Sequence, residues 1–126
     1  MNIEYVKSPN YSKGRNSKKI IAICNHITAG QFPGCQNWLC NPKAKASSNY
    51  LITRTGKIIQ LVKDEDTAWH CNDTQKYING GATFKKLCNN NNSIGIELCS
   101  DKDASGDYII TPATQKNAQT LIKHLM

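Results

Sequence analysis

The residues of this sequence best equipped for chemistry are two histidines and a glutamate, each set in or beside an apolar run. His26 closes a stretch in which Ile20, Ile21, Ile23 and Ile27 are β-branched, with Asn25 and Thr28 adding donors and acceptors beside it. The run 20–24 has the length and composition of a buried strand. An imidazole delivered at the end of such a strand suits a site built on a rigid element. A lone histidine is otherwise most simply a satisfied core residue. Glu97 lies inside the apolar stretch SIGIELC at 93–99, where a carboxylate is costly unless it is paired or useful. Burial raises the pKa of such a group toward working pH, which is what a general base requires. The competing reading is an ion pair with a lysine or arginine. The second imidazole, His70, directly follows Trp69.

The cysteines offer less. Cys24, Cys35, Cys40, Cys71, Cys88 and Cys99 include no C-x-x-C pair, so none of the usual zinc spacings applies. No secretory signal is visible at the start of the chain, and thiols are therefore expected rather than disulfides. Cys24 and Cys99 fall in expected core strands and read as small buried hydrophobes. His70 and Cys71 are adjacent, but neighbours in a strand-like segment point to opposite faces and are not expected to share a ligand. His124 belongs to the last helix and is expected to face solvent or the sheet edge.

These residues need elements to position them. Residues 1–17 read as an arm, extended over 6–9, and residues 18–126 as the domain proper. A strand is expected over 19–24, then a loop, then a short helix over 35–41. That helix carries Cys35, Trp38 and Leu39 on one face and ends at Pro42. Residues 47–54 and 57–62 form a strand pair around Thr55-Gly56. Their alternation is imperfect, as in strands covered on both faces. The polar stretch 71–92 reads as a long binding loop. In 93–99, Ile94, Ile96 and Leu98 share one face, and Ser93, Gly95, Glu97 and Cys99 the other. Thr111 caps a final helix with Pro112 at its first position, and Ala118, Leu121, Ile122 and Leu125 form its apolar stripe. That helix is still periodic at Met126 and meets no stop signal, so the sequence reads as a piece of something longer.

A chain of 126 residues is one domain. The formal charge of +7 suits a partner rich in carboxylates or phosphates, such as an anionic cell-wall polymer or a nucleic acid. The lysines are scattered, and no recognition helix or stacking motif supports nucleic-acid binding. No stretch is long and apolar enough for membrane insertion.

Taken together and in order, several short motifs carry a resemblance. They are ICNHITAG (23–30), Trp38 ahead of Asn41-Pro42, ASSNYLI (46–52), RTG (54–56), IQLV (59–62), DTAWH (66–70), NSIGIEL (92–98), and Tyr108 through Thr111-Pro112. In this order and spacing the chain resembles the N-acetylmuramoyl-L-alanine amidase type 2 family, which includes autolysins, phage endolysins and peptidoglycan recognition proteins. The resemblance covers roughly residues 18–126.

It implies a single α/β domain with a central mixed β-sheet flanked by helices. It also implies hydrolysis of the amide between N-acetylmuramic acid and L-alanine in peptidoglycan, with Zn2+ as cofactor. His26 matches the first zinc ligand and Glu97 the general base. Asn49, Trp69, His70 and Thr28 match the substrate groove, although Asn49 stands where many relatives have histidine. The remaining zinc ligands of the family are expected after the last helix, outside this chain. Such an enzyme is made in the cytoplasm and acts on the bacterial wall after release. The alternative reading is a non-catalytic peptidoglycan-binding module with an incomplete zinc site.

Overall fold

The alternation at 93–99 becomes the middle of the fold. Ile94, Ile96 and Leu98 at every second position favour an extended strand with one apolar face, and the chain forms β7 (Ser93–Leu98) there. The computed structural model describes residues 1–71 and 89–126. Most of the polar loop expected over 71–92, Cys88 included, lies outside the described residues. The preceding elements are β1 (Ile3–Tyr5), β2 (Tyr11–Ser12), β3 (Ala22–Ile27), α1 (Gly34–Leu39), a 3-10 turn at Pro42–Ala44, β4 (Tyr50–Ile52), β5 (Ile58–Gln60) and β6 (Thr67–Ala68). After β7 come β8 (Asp101–Lys102), β9 (Tyr108–Ile109) and α2 (Pro112–Leu125).

The central sheet runs β1-β5-β4-β7-β3. β4 and β5 pair antiparallel about the expected turn, where Gly56 takes a left-handed φ of 88°. The pairs β1–β5, β4–β7 and β3–β7 are parallel, so the sheet is mixed, as the resemblance implied. The first seventeen residues are integrated into this framework. They supply β1, and β2 pairs with β6.

Each face of the sheet has its own core. On one, Tyr50, Ile52, Ile58, Ile94, Ile96 and Leu98 pack with Ala118 and Leu121 of α2, while Ile122 and Leu125 seal the margin. The Thr111 hydroxyl caps α2 by accepting from the Thr114 amide at 3.1 Å. On the other face, Leu51, Ile59, Leu61 and Cys99 pack with Leu39 of α1. Because α1 is short, it covers only part of that face.

Two expectations need correction. The strand expected over 19–24 is β3 at Ala22–Ile27, three residues later, and it is an edge strand rather than a buried one. Ile20 and Ile21 are exposed, at 44% and 65%, because the register with β7 begins only at the Ala22–Ser93 pair. His26 therefore sits inside the strand. Trp38 does not share the buried side of α1 with Leu39, since it is 54% exposed.

Candidate functional site

Parallel pairing of β3 with β7 sets Cys24 opposite Gly95 and His26 opposite Glu97. Residues paired in this way lie on the same side of the sheet, here the side of α1. His70 reaches this patch from beyond the end of β6. A Cβ at position 95 would stand 2.5 Å from His70 Cγ, so glycine there is what lets the imidazole lie over β7. His26 Nε2 and His70 Nδ1 are 3.0 Å apart, with the rings edge-to-face at 71°.

The neighbours of His70 settle its protons. Ser93 Oγ donates to the Asn89 carbonyl at 2.6 Å, and so it accepts from His70 Nε2 at 3.1 Å. This assigns the Nε2–H tautomer and leaves the Nδ1 lone pair directed toward His26 and Cys71. Burial, with the nearby His26 second, pushes His70 down to about 4. Burial also lowers His26. Both rings are therefore neutral at pH 7, the form in which imidazole binds a metal.

Cys71 joins them, contrary to the expectation that adjacent residues diverge. Strand alternation does not apply here, because β6 ends at Ala68. Instead, Asn90 Oδ1 accepts from both the His70 amide at 3.1 Å and the Cys71 amide at 2.7 Å. Arg15 steadies the segment bearing Asn90, donating through Nη1 to the carbonyls of Asn91 at 3.0 Å and Ser93 at 2.9 Å. Cys71 Sγ ends 3.2 Å from His70 Nδ1. Cys24, His70 and Cys71 each bring one ligand atom to within 4.8 Å of the others. Two sulfurs and an imidazole nitrogen fit a borderline-soft divalent cation such as zinc. Cys24 is thus half-buried beside polar partners and is not a core hydrophobe.

Beside this cluster a groove of about 550 Å³ is lined by Thr28, Gln31, Cys35, Trp38, Ala46 and Glu97 among others. Glu97 Oε2 is buried and has no hydrogen-bond partner among the described residues. Burial alone pushes its carboxyl up to about 7. The ion-pair reading is not realised, since the salt bridges among the described residues are Arg54–Asp101 and Lys57–Glu4.

The structure brings together His26, His70 and Glu97, with Thr28 at the groove. The Thr28 hydroxyl serves the loop itself, donating to the Gly30 carbonyl at 2.7 Å and accepting from the Ser100 amide at 3.2 Å. Asn49 lies elsewhere. It is fully buried, takes the Gly95 amide on Oδ1 at 3.0 Å, and donates from Nδ2 to the Lys63 carbonyl at 3.2 Å. Those bonds make it a brace between β7 and the chain after β5. Trp69 directs its indole N–H to Ser12 Oγ at 3.0 Å, toward β2 and away from the groove lining. His124 is exposed on α2. Sequence reasoning missed Trp38 as a groove residue and the pairing of Cys24 with Cys71. A tryptophan beside a helix face already filled by Leu39 was the available signal for the first. For the second there was none, because the side chain of Asn90 creates the convergence.

Residues 16–126 match the family model described as N-acetylmuramoyl-L-alanine amidase. N-acetylmuramoyl-L-alanine amidase A of Achromobacter lyticus is 35% identical over 74 residues, 58% of this chain and only 41% of that protein's length. The solved structure of PlyL superposes with a TM-score of 0.67 at 24% identity, over 100% of this chain and 73% of its own. The E. coli amidase AmiD, solved with its substrate anhydro-N-acetylmuramic acid-L-Ala-D-γ-Glu-L-Lys, gives 0.57 at 24% identity, over 90% of this chain and 44% of its own. At these identities the structures establish a shared fold.

Proposed function

Because the chain belongs to the N-acetylmuramoyl-L-alanine amidase family, we propose that it hydrolyses the amide between N-acetylmuramic acid and L-alanine in peptidoglycan, as an endolysin or autolysin does. One observation carries this reading: a buried carboxylate oxygen of Glu97, without a hydrogen-bond partner among the described residues, lies at a groove one strand away from His26. The substrate described for AmiD contains the same muramic acid–L-alanine linkage and supports the choice of bond. The charge of +7 favours approach to an anionic wall. The working place is the bacterial wall, reached after release from the cytoplasm.

Zinc is the cofactor of this reading, and the neutral imidazole of His26, lowered by burial, is suited to be one of its ligands. When bound, it supplies Lewis-acid polarisation of the scissile carbonyl. The chain's own residues supply the rest. The groove takes the muramyl peptide, and the exposed indole of Trp38 offers an apolar face to a sugar ring. Glu97, near 7, exists in both protonation states at neutral pH. It takes a proton from the attacking water and returns it to the alanine nitrogen as the amide bond breaks.

The test uses purified peptidoglycan and zinc-loaded protein, following release of free amine and of reducing ends separately. Free amine without new reducing ends is the expected result. Glu97→Gln should remain folded and lose roughly 10²–10⁴-fold in rate. Muropeptide binding without amine release by the parent would leave a binding module in place of an enzyme. Glu97→Gln at the parent rate would remove Glu97 from the role of base.

A further inference from the structure

We propose that Cys24, His70 and Cys71 form a sulfur-rich binding site for a zinc-class divalent cation, a donor set different from the histidine-led one that the resemblance implies. The three ligand atoms already lie within 4.8 Å of one another, so no large rearrangement is needed to gather them around one ion. Each is held by a separate part of the fold. Cys24 is fixed in β3 by its pairing with Gly95. His70 is fixed in tautomer and orientation by Ser93 Oγ, which is anchored in turn on the Asn89 carbonyl. Such an outer hydrogen bond is the usual means of aiming a metal-binding imidazole. Cys71 is drawn to the same side by Asn90 Oδ1, which holds both adjacent amides. Gly95 completes the cradle, because any side chain there would displace the imidazole.

The donor chemistry selects the ion. Cysteine sulfur disfavours the hard cations magnesium and calcium, which take oxygen ligands, and suits zinc and its borderline-soft neighbours. Each coordinating thiol gives up its proton on binding. His26 Nε2, 3.0 Å from His70 Nδ1, stands at the rim of the site, outside the three-residue set. The proposal does not rest on the amidase reading.

Cobalt(II) is the probe. The 126-residue protein, stripped with chelator under reducing conditions and titrated with cobalt, should take up one ion per chain. It should show a strong near-ultraviolet sulfur-to-cobalt charge-transfer band whose intensity counts two cobalt–sulfur bonds. Zinc should abolish the band by displacement. Cys24→Ser and Cys71→Ser should each lose about half the band. Each should also weaken binding by more than the roughly 10–100-fold expected from losing an outer-shell partner. Cys40→Ser, on the far end of α1, and His26→Ala should keep the band at full intensity. Cobalt bound without that band, no cobalt bound, or equal bands in the parent and both serine variants would each overturn the proposal. If a serine variant fails to fold, the band of the parent decides, and fewer than two cobalt–sulfur bonds would sink the site. Amine release from peptidoglycan without the band would keep the amidase and remove the sulfur site. The band without amine release would do the reverse.

Discussion

The two faces of the central sheet are built from the same strands and behave as opposites. On the α2 face, Ile94, Ile96 and Leu98 meet Ala118 and Leu121, and the patch is closed to water. On the α1 face, the alternate residues of the same strand, Gly95 and Glu97, meet Cys24, His26 and His70 beside an open groove. Among the described residues, what differs is the length of the covering helix: Pro112–Leu125 on one side, Gly34–Leu39 on the other. A long amphipathic helix can bury a whole sheet face, whereas a six-residue helix covers one end and leaves the other for polar side chains and a ligand. One strand thus serves stability with one set of positions and chemistry with the other.

The contrast is sharpest at its largest expected effect. Leu121 is fully buried under the α2 face. Leu121→Ala should cost about 2–5 kcal/mol through lost transfer energy and the cavity left behind. Urea denaturation measures this directly. The sulfur-to-cobalt band of the still-folded variant should match that of the parent. A band that vanished while the protein remained folded would mean that the two faces are coupled and the division drawn here is false.

Glu97 should act in the opposite sense, because a site residue on the α1 face carries a stability penalty. Its carboxyl, raised by burial from an ordinary value of 4.5 to about 7, holds its proton more tightly in the folded state. The folded protein therefore binds more protons than the unfolded chain between these values, and stability falls as pH rises through that window. The contribution is fully present below about 4.5 and lost above about 7, at most roughly 3 kcal/mol. His26 and His70, whose pKa values are lowered, act in the opposite direction over part of the range. The quantity to measure is therefore the difference in unfolding free energy between metal-stripped parent and Glu97→Gln as a function of pH. Glu97→Gln should gain on the parent as pH rises from 5 to 8. A constant difference would show that Glu97 titrates normally.

Gly95 tests the cradle with a smaller expected effect. A methyl group there would meet three atoms of the His70 ring at 2.5–2.8 Å, and a ring cannot yield as a flexible chain end does. Gly95→Ala should cost about 1–3 kcal/mol, as overpacking does, and should shift the cobalt spectrum by expelling His70. An unchanged spectrum would place the ring elsewhere in solution.

Much of this organisation could be read from the sequence, unevenly between the two faces. The α2 face rests on local patterns: period two in 93–99, the 3.6-residue stripe of the last helix, and the Thr111-Pro112 cap. The two periodic patterns repeat several times over a short span, so each survives the loss of any one residue. The general location of the site was also readable, because Glu97 and His26 stand out as polar residues in apolar runs. Its composition was not. Cys71 and His70 converge because Asn90, about twenty residues later, accepts both of their amides, and because Arg15 steadies that segment from the other end of the chain. Asn49 matched a groove motif, yet its amide is engaged within the sheet. Ile20 and Ile21 look like core and are exposed, since only pairing with β7 determines where β3 begins.

The smallest expected effect tests whether the α2 face can be weakened without disturbing the site. Thr111 Oγ1 accepts from the Thr114 amide at 3.1 Å and donates to the Arg54 carbonyl at 2.6 Å. It thereby satisfies one unpaired amide of the first turn and ties the helix to the end of the β4 strand. Thr111→Ala should cost about 1 kcal/mol, the usual value of an N-cap. Pro112 still favours a helix start at the same place, so the loss should not spread along α2. Nothing in this cap reaches Cys24, His70, Cys71 or Glu97, all of which lie on or over the opposite side of the sheet. Cobalt stoichiometry, the charge-transfer band and the rate of amine release should therefore equal those of the parent at a temperature where both proteins are fully folded. A drop of 1 kcal/mol in urea with an intact band would show that the two faces can be tuned separately. A changed band at full folding would show that the position of α2 is transmitted through β4 and β7 to the site.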